Sequence, residues 1–518
     1  MACWERWHLA CSSMITRKRR LEGATPSGAP HIRQKNHTPV HTQFTTNGQT
    51  GPKNYRKVLF MTDREDPPIQ PIVQTIARSI ASAGGRAIIV GGWVRDYLLG
   101  IEAKDIDMEV HGLPLPRLEA VLGTFGGVIT IGRAFGVLRV KGLDVDFSMP
   151  RRDSKIAAGH RGFRVEFDSD LDFEAASRRR DLTINSMGFD LLTGEVLDPH
   201  GGRADLDVGV LRATCPERFA EDPLRGVRVA QFAARFGMDV DPQLIQLMTG
   251  LDLGELSAER LFVEFEKLLL KGTRPSVGFE LLRETGLIRF FPEIDALIGV
   301  PQDEKWHPEG DVWVHTLLVL DEAARLCDGG RDDLILMFAA LCHDFGKPET
   351  TFEEGGRIKS HGHNMAGLKH VERFLGRLRA SNKLLVRAVK ALVEHHLAPA
   401  LFVKQGATPK AYRRLARKLD GANVSMELLT RLAFADHFGR TTPDALQREF
   451  PAGETFARTA RALLVEQEGP RDVVLGRHLI ARGLQPGVHF NAILARCREL
   501  QDETGRQDPE WILRRVIG

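Results

Sequence analysis

The segment that opens at Ala87, AIIVGGWVRDYLLGIEAKDIDME, puts a strand, a double glycine, a short helix and an Asp-x-Asp pair into about twenty residues. Ala87 to Val90 is apolar and largely β-branched, the pattern of a buried strand. Gly91 and Gly92 end it and, lacking side chains, let backbone N–H groups approach a ligand. Trp93 to Leu99 reads as one or two helical turns. Asp105 and Asp107 follow at a spacing of two, which places both on one face of a strand. Adjacent carboxylates repel each other, and a hard cation relieves the repulsion; Mg²⁺ binds through one or two carboxylates plus substrate phosphates. A phosphate cradle beside a metal site is equipment for phosphoryl or nucleotidyl transfer. Alone, a double glycine is an ordinary turn and Asp-x-Asp a solvated edge; their order and closeness carry the argument.

At 518 residues the chain is long enough for about three or four domains. A net charge of +3 creates no global field for a polyanion, so any basic patch is local. No apolar run is long enough to span a bilayer, so no membrane partner is expected. The six cysteines are scattered without a Cys-x-x-Cys, which argues against a disulfide framework or a zinc knuckle and suits a reducing cytoplasm. Residues 1–64 are basic, polar and aperiodic and read as a disordered extension. Met61 is the expected native start; a transit peptide or a basic RNA-binding arm fits the same composition.

Ile69, Ile72, Ile76 and Ile80 mark a helix over 68–83. Val128–Ile131, Val137–Val140 and Leu143–Phe147 read as strands, with Asp146 a third candidate carboxylate. Residues 151–166, rich in Arg, Gly and His, read as a mobile loop. Strands followed by helices give an α+β class. From about residue 213 the periodicity is helical, over 222–236, 261–270, 313–326, 334–341, 383–396 and 411–418.

Ser177 to Met187 reads SRRRDLTINSM. Its guanidinium groups suit bidentate binding of phosphate, though a solvated basic loop would look the same. Glu221 to Gly237 reads EDPLRGVRVAQFAARFG, with Pro223 suited to a first helical turn and Asp222 to the cap before it. Asp222, Arg225 and Arg228 recur every three residues on one side of that helix. A carboxylate can accept from an exocyclic amine while a guanidinium donates to ring acceptors, a pairing that takes cytosine or adenine. A surface salt bridge at i, i+3 is the plainer reading of the same spacing.

GGWVRDYLLG, DID, RRDLTIN and EDPLRGVRVAQFAARFG, in this order, resemble the bacterial-type (class II) tRNA nucleotidyltransferase and poly(A) polymerase family over roughly residues 65–300. The resemblance implies a DNA polymerase beta-like head and template-independent addition of CCA to tRNA from CTP and ATP by two-metal nucleotidyl transfer. It implies that Asp105 and Asp107 hold Mg²⁺ and that Asp146 is the third carboxylate of the catalytic set. It implies that Gly91, Gly92 and Arg95 contact the nucleotide, and that Arg180, with Asp181 and Asn185 beside it, contacts the triphosphate. Asp222 and Arg225 would form the base template, with Arg228 assisting. One departure is Gln231, where many CCA-adding relatives carry Arg. It weakens a nucleotide contact and keeps poly(A) polymerase, or CC-only or A-only addition, as alternatives.

A second constellation lies in residues 307–437: HPEGDVWVHT, LCHDFGKPE, HGHNMAG, LVEHH and FADHFG. Imidazoles and carboxylates spread over helices are typical of a metal site in a helical bundle. The segment resembles the HD superfamily of metal-dependent phosphohydrolases. By that pattern His315, His343, Asp344 and Asp436 are metal ligands, Lys347 lies near the phosphate, and His363 and His395 complete a second metal position. Imidazole-rich sites suit Ni²⁺, Mn²⁺ or Co²⁺ and not Mg²⁺. The expected order is a disordered extension over 1–64, a nucleotidyltransferase head over 65–212, an all-helical neck and body over 213–305, an HD domain over 306–440 and a helical tail over 441–518. An HD phosphohydrolase with an RNA-binding head is the rival of another class.

Overall fold

The computed structural model describes residues 69–103, 105–131, 136–155, 163–380 and 382–518; the expected extension over 1–64 and the turn between the strands at 128–131 and 137–140 fall outside them, the turn except for Gly136. The chain divides into two compact units. One runs to Met149 and takes in Met187–Asp198; the other comprises Pro150–Ser186 and Pro199–Gly518.

The first unit is built on one mixed sheet. Its strands are β1 (Arg86–Val90), β2 (Ile106–His111), β3 (Val128–Ile131), β4 (Val137–Val140), β5 (Val145–Ser148), β8 (Gly188–Asp190) and β9 (Val196–Leu197), in the order β3-β4-β5-β2-β1-β8-β9. β2 lies centrally, antiparallel to β1 and parallel to β5, and β1 is antiparallel to β8. Helix α1 (Pro71–Ser82) buries Val73, Ile76, Ala77 and Ile80. Ile72, expected on that face, is 42% exposed, because Val73 and Ala77 complete the i, i+4, i+7 stripe instead. Each fully buried branched side chain contributes roughly 1.5–3 kcal/mol. Helix α2 (Gly92–Leu98) docks through Trp93, whose ring stacks on Tyr97 at 5.3 Å and tilts onto Phe189 of β8 at 5.8 Å. Helix α3 (Leu115–Gly123) buries Leu118 and Leu122.

The second unit opens with a correction. The expected loop over 151–166 contains β6 (Arg151–Lys155) and β7 (Phe163–Phe167), which pair antiparallel. FRVEF alternates apolar and charged residues with the period of a strand, a signal the surrounding arginines and glycines hide. The remainder is almost wholly helical. Helix α4 (Leu224–Phe236) packs against α5 (Ala258–Lys271) and α6 (Pro275–Glu284). A Cβ on Gly278 would stand 2.7 Å from the Ala230 carbonyl oxygen, so glycine is what lets α6 approach α4 so closely.

Helices α7 (Val312–Leu326), α8 (Asp333–Cys342), α9 (His363–Arg377), α10 (Lys383–His395), α11 (Pro409–Asp420) and α12 (Met426–Phe438) follow. Helices α13 (His489–Thr504) and α14 (Pro509–Val516) close over a small core of Val474, Leu479, Cys497, Ile512 and Leu513. Arg417 of α11 joins it through Asp472 at 2.5 Å and Asp502 at 2.9 Å. No described helix is long and apolar enough to cross a membrane.

Candidate functional site

In the first unit the double glycine turns the chain from β1 into α2. Gly91 adopts φ +78°, which favours glycine, and its N–H donates to the Met187 carbonyl at 3.4 Å. A Cβ on Gly92 would stand 3.3 Å from Nη2 of Arg95. Arg95 itself is buried and donates to Asp96 Oδ1 through Nε at 2.9 Å and Nη2 at 2.7 Å. Asp105 immediately precedes β2, and Asp107 lies within it, both exposed. Asp107 is in register with Asp146 on the parallel neighbour β5. Asp146 accepts from Arg139 Nε at 2.6 Å, across the β4–β5 pair. The pKa of Arg139 is raised by that hydrogen bond and by the Asp146 charge, with smaller help from Asp144 and Asp105. Asp107 and Asp146 thus lie side by side on neighbouring strands, with Asp105 two residues before Asp107; carboxylates are the hard-oxygen donors that a cation such as Mg²⁺ takes.

In the second unit Asp181 is the centre of the RRRD segment. It accepts from Arg228 Nε at 2.7 Å, Asn185 Nδ2 at 3.0 Å and its neighbour's N–H at 2.8 Å. Burial alone would raise its pKa, but Arg228, Asn185 and the Leu182 amide hold it at about 2. Arg228 also reaches Glu264 of α5 at 3.4 Å. Arg180 is half-buried. Arg225 donates to the carbonyls of Arg218 at 2.7 Å, Phe219 at 3.5 Å and Arg179 at 2.6 Å. Asp222 pairs with Arg260 of α5 at 2.6 Å, and not with Arg225 at i+3. Its other oxygen accepts from Leu224 N–H at 3.2 Å, beside the helix start at Pro223. Gln231 is 2% exposed, and its Nε2 finds no hydrogen-bond partner among the described residues.

The HD segment brings together residues far apart in sequence. His315 stands in the first turn of α7, which Asp311 caps. Its Nδ1 meets Glu309 Oε1 at 2.8 Å and its Nε2 meets Asp436 Oδ1 at 3.1 Å. His343, at the end of α8, bonds Nδ1 to the Ala340 carbonyl at 2.8 Å. His363 begins α9 and bonds Nδ1 to Ser360 O at 2.8 Å; His396 directly follows α10 and bonds Nδ1 to Val393 O at 2.7 Å. A carbonyl only accepts, so each of these three Nδ1 atoms carries the proton and each Nε2 presents a lone pair. The Nε2 atoms of His363 and His396 nevertheless face each other at 3.2 Å.

Burial lowers the pKa of His363, and burial with His363 and His343 alongside holds His396 at about 3, so neither supplies a proton to that contact at neutral pH. Asp344 stands 3.2 Å from His343 Nε2, 3.4 Å from His363 Nε2 and 2.7 Å from Lys347 Nζ. Asp436 is likewise held well below the carboxylate range: burial opposes, while Arg440 and His315 prevail. Facing lone pairs and a His343 Nε2 without a hydrogen-bond partner are what a divalent cation would satisfy, and the donor set fits one. Among the described residues three overlapping groups have metal-binding spacing: His307–Glu309–His315, His315–His343–Asp344 and Asp344–His363–His396. Of these residues, His307, Asp344, His363 and His396 border a cavity of about 260 Å³.

Sequence reasoning placed His395 where the structure places His396. His395 points away, 3.4 Å from Glu394. Glu309 and Arg139 lie outside the expected set. The His-Pro-Glu run at 307–309 and the His-His doublet at 395–396 were the available signals; nothing local marks Arg139.

Residues 87–212 match the Poly A polymerase head domain family, 237–298 the Probable RNA and SrmB-binding site of polymerase A, and 312–422 the HD domain. A Multifunctional CCA protein of Vibrio campbellii is 37% identical over 387 residues, 72% of this chain and 90% of that protein. One from Actinobacillus pleuropneumoniae is 38% identical over 316 residues, 60% of this chain and 74% of that protein. Among solved structures, the Bacillus stearothermophilus CCA-adding enzyme in complex with CTP aligns with a TM-score of 0.60 at 23% identity, covering 86% of this chain and 98% of that one. The Thermotoga maritima CCA-adding enzyme complexed with tRNA aligns at 0.55 and 18%, covering 87% and 96%. These structures share the fold: a nucleotidyltransferase head with a mixed sheet, followed by a mainly helical remainder. On the extent and identity of the sequence match, the chain belongs to the multifunctional CCA protein family.

Proposed function

We propose that this chain is a template-independent nucleotidyltransferase that adds CCA to the 3′ end of tRNA from CTP and ATP, and that its HD segment is a metal-dependent phosphohydrolase. The observation that carries the first activity is the carboxylate set Asp105, Asp107 and Asp146, in a chain that matches 90% of a protein named for CCA. The expected division into head (65–212), neck and body (213–305), HD domain (306–440) and tail (441–518) is retained as part of this reading.

Mg²⁺ is the fitting ion for the three carboxylates, and when bound it supplies acidity at the 3′-hydroxyl and charge neutralisation at the leaving pyrophosphate. The other roles fall to the chain. Gly91 and Gly92 leave the backbone open to the nucleotide, with Arg95 packed behind them. Arg180 takes the triphosphate, and Asp181 with Asn185 fixes the segment that carries it. Asp222 accepts from the amino group of cytosine or adenine while Arg225 donates to the ring. Carbonyls engage Nη1 and Nη2 of Arg225, which orients the guanidinium and leaves its remaining N–H donors for the base. Arg228 locks α4 to Asp181.

In the HD segment Ni²⁺, Mn²⁺ or Co²⁺ suits the imidazoles, with His315, His343, Asp344 and Asp436 as ligands and His363 and His396 completing a second position. When bound, such an ion activates water for attack on a phosphoester. Lys347 and Arg440 border the same cavity and would hold the phosphate. The scattered cysteines suit a cytoplasmic enzyme.

The test uses tRNA transcripts ending at the discriminator base, at C and at CC, incubated with Mg²⁺ and CTP, ATP or both. Addition stopping at CCA on all three supports the reading and shows that Gln231 is tolerated. Stopping at CC, starting only from CC or running into long A tails would assign the chain to a CC-adding, A-adding or poly(A) activity. No addition by folded protein would leave the HD segment as the working part. Absence of hydrolysis of 2′,3′-cyclic nucleotides with Ni²⁺, Mn²⁺ or Co²⁺ would end the HD claim.

A further inference from the structure

We propose that Trp306 is the platform on which the HD cavity stacks the base of its phosphoester substrate. This rests on the phosphohydrolase reading and adds a residue that no metal-ligand pattern includes. Trp306 borders the same cavity as His307, Asp344, His363, His396 and Arg440, yet it is 51% exposed. A single exposed aromatic is ordinary on a protein surface; this one stands at the rim of a polar, cationic cavity.

The loop that carries it is anchored along its length. Gly299 N–H donates to Asp311 at 2.7 Å, Lys347 to Gln302 at 2.6 Å and Arg357 to Asp303 at 2.9 Å, and His307 is bonded to Glu309 at 2.9 Å. The Trp306 N–H itself donates to the Asp303 carbonyl at 3.0 Å. The ring is therefore presented on fixed backbone, and Lys305 Nζ stands 5.2 Å from its centroid. Size makes the second argument. Sites that enclose a whole drug-sized ligand occupy roughly 300–1,000 Å³, and this cavity holds about 260 Å³. Phosphate and ribose would fill the part bordered by imidazoles and cations, so a base must remain at the rim, where Trp306 offers a π-face. Stacking of this kind is sequence-tolerant, since every base has such a face.

The test uses the full chain loaded with Ni²⁺ and two substrates, 2′,3′-cyclic AMP and glycerol 1,2-cyclic phosphate. In both, water adds to phosphorus and one ring P–O bond opens to a hydroxyl; only the first carries a base. W306A is expected to raise KM for cyclic AMP about tenfold, inside the range that base–aromatic stacking spans. Its kcat, and its kcat/KM for the glycerol ester, should stay within about twofold of wild type, and W306F should recover most of the loss. Equal losses on both substrates, or no change on either, overturn the proposal, as does a loss confined to tRNA affinity.

If the wild-type chain hydrolyses neither ester, the phosphohydrolase reading fails by itself. Equilibrium dialysis of 2′,3′-cyclic AMP against the loaded proteins then decides for Trp306: weaker retention by W306A upholds the platform, and equal retention overturns it.

Discussion

His395 and His396 differ by one step of about 100° around a helix end, and that step decides which imidazole joins Asp344. A sequence displays the doublet but not the rotation. H396A is therefore expected to lower metal retention by tenfold or more, at least the scale on which even a ligand's hydrogen-bond partner matters, while H395A leaves it unchanged. Elemental analysis after gel filtration in Ni²⁺ reads the difference, and equal metal content in the two variants would refute the placement. Asp181 supports a different prediction. Its pKa is depressed from 3.8 to about 2, so its contribution to stability is complete above about pH 4 and disappears as pH falls through 2. The integral of that shift is about 2 kcal/mol. D181N should lower stability by about that much at pH 7 and by roughly half as much at pH 3; urea titrations at both values would show it, and a pH-independent deficit would mean that packing, not charge, is lost.

At the scale of elements, glycines set how closely segments meet. A Cβ on Gly346 would fall 2.0 Å from the His363 carbonyl oxygen and 2.6 Å from the Gly367 nitrogen. The segment after His343 and Asp344 rests on the first turn of α9 only because that Cβ is missing, and this contact delivers His363 to Asp344. G346A should separate them, releasing metal and lowering the unfolding midpoint, with an overpacking cost of about 1–3 kcal/mol. Full metal content in G346A would show that α9 docks independently. The same scale explains what the sequence concealed. The head motifs were legible because a strand, two glycines and Asp-x-Asp share one local segment. Asp146 was visible as an alternating acid, but its partner Arg139 depends on strand register. The pairing of Asp222 with Arg260 spans 38 residues, and no local pattern signals it; α4 and α5 had to dock first. The β6–β7 hairpin was missed because composition outweighed period.

Across the whole molecule two donor chemistries are kept in separate units, carboxylates in the first and imidazoles with carboxylates in the second. Their metals should be separable. After chelation, Mg²⁺ should restore nucleotide addition without cyclic phosphodiester hydrolysis, and Ni²⁺ should restore the hydrolysis. Full recovery of both by Mg²⁺ alone would refute the division. Arg225 shows how far reading and holding can be joined in one side chain. Its guanidinium fastens the end of the short helix Pro216–Phe219 and the segment at 179 to the helix that carries it. On the role proposed for it, a lineage drifting towards another base preference would have to rebuild that junction in the same step. Mutational paths to a new specificity are then steered away from this position, and the reader stays fixed while its surroundings vary.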